Sequence, residues 1–342
     1  MDVSIGPDQE LVIDTAARLA EAFATTNVGD LPPRDGARSG WRQLAEMGFV
    51  GLRLPEPIGG QGSGVDVALV AEQFGRALSP VPFVGQAVLG PELLFAAGAG
   101  DDVLGAVIAG ERRVTVALDP FLRGFAAEGA AFAFDATGAD AVLALRRDGQ
   151  LLELPLDAGR KPAACADLTR VLVAIDDVAV GQPVGVPIDS GVRARIEALT
   201  LSVLAADLVG VMQGALDVAV DYVRDRVQFG VPVGSFQAVQ HLAAEAKVKL
   251  EAARGAMWHG AWAVDQLDPD DALLAARQTK AYCSRAARDV TEIMTQLFGG
   301  IAITWEELAH LRVRRALFGR ACFGDEHVQE DAIAETRLGG LL

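Results

Sequence analysis

Apolar residues recur at three- and four-residue spacing through residues 8–109, in stretches such as ELVIDTAARLAEAFA and GVDVALVAEQFGRAL. That is the period of helices with one buried face. Gly and Pro interrupt the region often, so the predicted helices are short. From about residue 112 to 187 the period changes: RVTVAL, AAFAF, AVLAL, LLELPL and VLVAIDDVAV are strand-like runs separated by Gly, Asp and Pro turn residues. They read as a small β domain. Helical spacing returns after Ser190 in long segments, 192–226, 236–266, 271–297 and 305–318, broken at Gly230, Pro269 and Gly299–Gly300. The pattern predicts a four-helix bundle. The chain is therefore expected to be α+β, mainly α, with divisions at 1–110, 111–187 and 188–342.

Composition narrows the function classes. With 342 residues and 51% hydrophobic content the chain can bury a large core, enough for two or three domains. A formal charge of −16 argues against nucleic-acid binding and against a broad electrostatic membrane footprint. Any anionic ligand must be held locally. No apolar run approaches bilayer length without a charge or Gly, and MDVSIGPDQELV lacks the basic start and apolar stretch of a signal peptide. A cytoplasmic location is the expectation. Cys165, Cys283 and Cys322 are odd in number and lack metal spacing, as expected of reduced packing thiols. His241, His259, His310 and His327 lie far apart with no acidic partner at ligand spacing, so no metal site is expected.

Two short elements carry candidate chemistry. Arg226, Gln228 and Phe229 are predicted to end a helix that Gly230 stops. A cation there can simply oppose the negative helix end, or its planar fork of donors can hold a pyrophosphate. Gln296, Gly299 and Gly300 form the second element. Gly-Gly is a common helix terminator, but it also lets backbone approach a ligand while Gln296 hydrogen-bonds adenosine or ribose. Phe236 and Gln237 fit the same kind of contact, although FQAVQHLA is equally a good helix start. The Gly-rich PEPIGGQGSG follows no strand and precedes no Gly-Lys-Ser, so a phosphate loop is not expected. RVRRALFGR, residues 312–320, is expected to be a solvated helix face pairing with Glu306, Glu307 or a partner chain.

Residues 222–249, YVRDRVQFGVPVGSFQAVQHLAAEAKVK, and 294–303, MTQLFGGIAI, resemble the flavin-nucleotide signatures of the acyl-CoA dehydrogenase family. WRQLAEMGFVGLRLPEPIGGQGSG and ALVAEQFGRALSPVPF resemble its N-terminal helical domain, so the likeness spans most of the chain. The resemblance implies that fold, FAD as cofactor and dehydrogenation of a CoA thioester. It also implies that Arg226, Gln228, Phe229, Phe236, Gln237, Gln296, Gly299 and Gly300 reach the AMP half of a neighbouring subunit's FAD.

The same resemblance marks what this chain lacks. Family members remove the α proton with a glutamate, either before a Gly in the loop ahead of the last helix or in the first bundle helix, 26 residues before the flavin-motif Arg. These positions hold Phe323 and Thr200, and neither side chain is a base at neutral pH. After the glycine, where the family has small polar residues for its own FAD diphosphate, stand Asp325, Glu326 and His327. VALDPFLRGFAAEG and AAFAFDATGADAVLAL replace the Thr-Glu-Pro to Gly-Ser-Asp and Trp-Ile-Thr segments that hold the flavin ring. Groups serving a subunit's own flavin are gone and groups reaching a neighbour's are kept.

Such a chain resembles the non-catalytic half of heteromeric, usually α2β2, acyl-CoA dehydrogenases of actinobacterial steroid side-chain degradation. The expected partner is a homologous catalytic subunit, and the expected substrate a steroid-CoA or a fatty acyl-CoA. Two alternatives stay open: a self-sufficient homo-oligomer with a base displaced to Asp325, Glu326 or Asp207, and a flavin-free scaffold.

Overall fold

The computed structural model describes residues 5–27, 29, 31, 40–157 and 160–339. Helices α1 (Pro7–Ala22), α2 (Trp41–Glu46) and α3 (Gly64–Arg76) lead into a π-helical turn, Phe83–Leu89, that continues as α4 (Gly90–Ala96), followed by α5 (Asp101–Ile108). Helix α3 starts on a reciprocal cap. Ser63 Oγ accepts from the Asp66 amide, while the Asp66 carboxylate accepts from the Ser63 amide at 2.7 Å.

Strands β1 (Val114–Leu118), β2 (Ala131–Phe134), β3 (Ala141–Leu145), β4 (Leu151–Pro155), β5 (Val173–Ile175) and β6 (Gln182–Val184) form one sheet in the order β5-β2-β1-β3-β4-β6. Every pairing is antiparallel except β1 with β3, and every residue of these two central strands is buried. The run VLVAIDDVAV was expected to be one strand. Instead β5 covers three of its residues and a 3-10 turn follows, because Asp177 caps the Ala179 amide and ends the extended chain.

Among the described residues five α-helices follow the sheet: α6 (Ser190–Asp225), α7 (Gln237–Gln266), α8 (Pro269–Phe298), α9 (Ala309–Ala321) and α10 (Glu326–Leu338). The expected C-terminal bundle is present, and α10 packs on α8 in addition to the four segments read from the periodicity. The helix expected at 305–318 runs later, because Gly299–Ile303 winds as a 3-10 helix and a turn precedes Ala309. Among the described residues α6 alone is long and apolar enough to cross a membrane, yet 78% of that apolar window is buried inside the fold. It is the core helix. Its approach to α3 is close enough that a Cβ on Gly75 would stand 2.2 Å from the Asp207 carbonyl, and one on Gly210 2.0 Å from that of Glu72.

A buried ion network ties the sheet to these helices. Arg170 reaches Asp135 at 2.6 Å and Asp207 at 3.1 Å, and its guanidinium lies 5.3 Å from the centre of the Phe134 ring. Arg315 holds Asp207 from α9 and donates to the carbonyl of Ser79 at 2.8 Å. The basic run at 312–320 is therefore not a solvated face. Arg312 and Arg315 are buried, and Arg320 pairs with Glu326 at 2.7 Å rather than with Glu306 or Glu307.

Candidate nucleotide groove and a closed catalytic turn

The last turn of α6 delivers Arg226 to the surface. Arg226 is the C-cap, already extended at φ −72° and ψ 117°, and the chain then doubles back as a hairpin of β7 (Val227–Gln228) and β8 (Val231–Pro232). Gln228 and Phe229 therefore do not end the helix, and Gly230 is not its stop. Phe229 at φ 53° and Gly230 at φ 81° are the two central residues of the hairpin turn. Positive φ at both matches a primed turn, the kind whose twist suits a two-residue hairpin. This geometry pushes the Phe229 ring out to 93% exposure, where it meets only the edge of Phe236, centroids 6.4 Å apart.

The helix ends that carry the two elements adjoin, and of the predicted site residues Arg226 is the one that lines the groove there. Arg226, Tyr222, Asp221, Asp225, Phe298 and Glu307 line an open groove of about 520 Å³. Tyr222 stacks on Phe298 with centroids 4.6 Å apart, which fixes the end of α6 against the end of α8. Phe298 immediately precedes Gly299, the C-cap of α8, and Gly299 and Gly300 are exposed with open space where a Cβ would stand. Gln296 and Gln237 are exposed and, among the described residues, make no side-chain hydrogen bond. Arg226 likewise makes no ion pair among them.

These groups suit the AMP half of FAD: a free guanidinium, two carboxamides, an aromatic pair and glycine backbone open to close approach. Asp221, Asp225 and Glu307 bring opposing charge into the same groove, so an anion at Arg226 would meet their repulsion. Sequence reasoning missed Tyr222 and Phe298. The signal was present, since Tyr222 lies one helical turn before Arg226 and Phe298 adjoins Gly299.

The turn at 322–324 is built differently. Phe323 is 3% exposed and sits at φ 55°, a strained conformation for a bulky residue. Three elements hold it there. Its ring meets Phe125, from the β1–β2 connection, edge to face at 4.9 Å, and the Gly324 amide donates to the Leu122 carbonyl at 3.3 Å. Gln329 of α10 donates to the Phe323 carbonyl. From α8 the wholly buried Lys280 donates to Gly324 O at 3.0 Å, Arg320 O at 2.9 Å and Ser284 Oγ at 3.0 Å, so each of its three protons has an acceptor. Burial pushes the Lys280 ammonium down to about 8, against the opposing pull of Cys322, Cys283, Glu326 and Asp325. Thr200 is buried within α6 and spends its hydroxyl on Ile196 O at 2.7 Å.

The carboxylates nearest this turn are also engaged. Asp325 caps α10, accepting from the amides of His327 and Val328 at 3.1 and 3.2 Å. Those donors are then unavailable to a phosphate. Glu326 is buried in its pair with Arg320; burial works to raise its pKa, but the Arg320 contacts outweigh that and hold it below the usual range. Asp207 is likewise held low, since Arg315 and Arg170 overcome the opposing effect of burial. The thiols of Cys283 and Cys322 are buried and pushed up to about 12, which leaves them protonated packing groups.

Comparison with known proteins agrees with this architecture. The profile for the acyl-CoA dehydrogenase C-terminal domain matches residues 189–338, and that for the N-terminal domain residues 6–100. Acyl-CoA dehydrogenase IpdE2 of Mycobacterium tuberculosis is 34% identical over 81% of this chain and 79% of its own length. Acyl-CoA dehydrogenase FadE34 of the same organism is 33% identical over 88% of this chain, which spans only 43% of that longer relative. Among solved structures, the steroid acyl-CoA dehydrogenase Tcur3481-Tcur3483 superposes with a TM-score of 0.83 over 98% of this chain and 99% of its own, at 24% identity, a likeness of fold. With this fold, these domain matches and a relative aligned over most of its length, the chain belongs to the acyl-CoA dehydrogenase family.

Proposed function

We propose that this chain is the non-catalytic subunit of a heteromeric, FAD-dependent acyl-CoA dehydrogenase. Its groove at Arg226 receives the AMP half of an FAD whose flavin ring lies on a homologous partner subunit that carries the base. The observation that carries this reading is an asymmetry: the neighbour-facing groups stand open on the surface, while the turn holding Phe323 is packed shut. An α2β2 assembly and a steroid-CoA substrate are part of the proposal. The latter is supported by the steroid enzyme of the same fold, whose name joins two proteins.

FAD, when bound, would supply the acceptor for the hydride lost from the acyl β-carbon. This chain's residues bind and orient. The Arg226 guanidinium would donate to the diphosphate and the Gln296 carboxamide to adenosine, while Gln228, whose Nε2 already donates to Val227 O at 2.8 Å, would offer its amide oxygen. Gly299 and Gly300 let backbone come close, and Tyr222 with Phe298 keeps the two elements in register. Phe229 and Phe236 supply apolar area toward the partner. A homo-oligomer with a displaced base is disfavoured because Asp207 and Glu326 are held by arginines and Asp325 by the α10 amides. A flavin-free scaffold gives no reason for an unpaired Arg226 beside an open glycine pair.

The test is co-expression with the homologous subunit. One FAD per heterodimer is expected, little or none on the chain purified alone, and loss of FAD on dialysis of the Arg226→Ala complex. Losing charged hydrogen bonds of about 1.5–3 kcal/mol corresponds to affinity falling roughly 10- to 150-fold. A purified chain that by itself held one FAD and oxidised an acyl-CoA would overturn the reading.

A further inference from the structure

Next to the groove, with Val218 on the wall of both, α1, α3, α6 and α9 line a half-open cavity of about 330 Å³ that includes Thr25, Gln73, Arg76, Gly214, Asp217 and Arg312. Arg312 is only 9% exposed. A guanidinium carries five donors, yet among the described residues Arg312 makes one hydrogen bond, from Nη1 to the Arg76 carbonyl at 3.0 Å, and no ion pair. Three residues along the same helix, Arg315 is 2% exposed and shows how this fold normally neutralises such a group, with Asp207, Ser79 O and Thr169 Oγ1 as acceptors. Arg312 has no equivalent. The acid facing it, Asp217, is already held by Arg76 at 2.8 Å and Gln213 at 2.7 Å. Burial pushes the Arg312 pKa down to about 10, with the charges of Arg315 and Arg76 adding and those of Asp217 and Glu307 opposing.

Room for this cation is built into the sequence. Gly214 lies inside α6, where glycine is unfavourable. A Cβ there would stand 2.3 Å from Arg312 Nη1 and 2.3 Å from the Arg76 carbonyl, so the helix carries a glycine where the guanidinium must lie against it. The donors left over, Nε and Nη2, are not sealed from solvent and open on the cavity with no protein acceptor among the described residues. An oxyanion there would meet a largely buried guanidinium with donors to spare.

We propose that this cavity binds a small oxyanion, a carboxylate or a phosphate, through the planar fork of Arg312. Gln73, whose carboxamide makes no side-chain hydrogen bond among the described residues, adds a donor from α3. The site stands on α1, α3, α6 and α9 and is independent of the nucleotide proposal. Glu21 and Asp217 on its walls oppose any anion there, a monoanion least.

The test is calorimetric titration of the full chain with sodium phosphate and, separately, sodium acetate, against sodium chloride at matched ionic strength. Saturable binding of phosphate or acetate is expected, and the arm that saturates identifies the ligand class. Arg312→Met and Gly214→Ala are each expected to weaken it at least tenfold. Gln73→Leu, at a half-buried position that tolerates change, is expected to weaken it about threefold and gives a reading should the other two fail to fold. Absence of saturable binding to the wild type, or equal binding by wild type and Gln73→Leu together with either folded variant, overturns the proposal.

Discussion

The ring of Phe323 meets that of Phe125 edge to face, 4.9 Å between centroids, joining the turn before α10 to the connection between β1 and β2. Because Gln329 and Lys280 fix the two carbonyls of the same turn, the aromatic contact is the centre of a packed junction rather than a loose plug. Restoring a carboxylate by Phe323→Glu therefore does not create a base. The charge is buried against Phe125, and the cation of this turn, Lys280, already spends its three protons on Gly324 O, Arg320 O and Ser284 Oγ. The variant is expected to lose about 3–5 kcal/mol of stability, as for loss of a buried aromatic, and to gain no acyl-CoA-dependent flavin reduction. Urea unfolding and anaerobic flavin bleaching check the two halves, and measurable turnover by the isolated variant would refute the second.

Arg315 and Asp207 join α9 to α6 inside the network that also holds Arg170 and Asp135. Removing one partner leaves a buried carboxylate with only Arg170 against it. Arg315→Met is expected to lower stability by about 3–5 kcal/mol, whereas the double variant Arg315→Met, Asp207→Leu should recover part of that loss. Urea midpoints for both single variants and the double give the coupling. Additive losses would mean that the pair is not an energetic unit.

Much of the fold was legible because its signals are periodic. The three- and four-residue spacing located the helices to within a few residues, and the turn residues marked the strands. What failed lay where a local interaction competes with the period. Asp177 ended a strand that hydrophobicity alone would extend, and the glycine pair wound the chain into a 3-10 turn that delayed α9. The basic run at 312–320 misled for another reason. Its charges read as solvent-facing, but the acceptors of Arg315, which are Asp207, Ser79 O and Thr169 Oγ1, come from elements distant in sequence, and only the tertiary fold brings them together. The groove was half legible. Arg226 and the glycines are motif residues, while Tyr222 and Phe298 were hidden among ordinary aromatic core positions. Lys280 had a signal that went unused, since Ala276, Lys280, Cys283 and Ala287 repeat at four, three and four residues and so share the buried face of α8.

The Tyr222–Phe298 stack separates positioning from stability at the groove. Tyr222→Ala removes an aromatic contact of about 0.5–1.5 kcal/mol at a half-buried position, so folding should survive. FAD retention by the complex with the partner subunit is expected to fall several-fold, while Tyr222→Phe, which keeps the stack, retains it. If both variants lost FAD equally, the hydroxyl rather than the stack would be what matters.

Lys280 supplies a pH signature for the closed turn. Its folded pKa of about 8 lies below the ordinary 10.5 of an unfolded lysine, because burial disfavours the charge. Between those values the unfolded chain keeps a proton that the folded chain has released, so the unfolded state binds more protons and stability from this group rises with pH. Below about pH 8 both states are protonated and the cost of the buried charge is fully present. Lys280→Met lacks the titration. The stability of the wild type minus that of the variant should therefore grow by about 3 kcal/mol between roughly pH 7.5 and 10.5, with a slope of at most about 1.4 kcal/mol per pH unit. Taking the difference cancels the contribution of groups that titrate alike in both proteins. Urea unfolding at half-unit pH steps measures it. A flat difference would show that Lys280 keeps its proton when buried, and that the three acceptors around it, Gly324 O, Arg320 O and Ser284 Oγ, outweigh its desolvation.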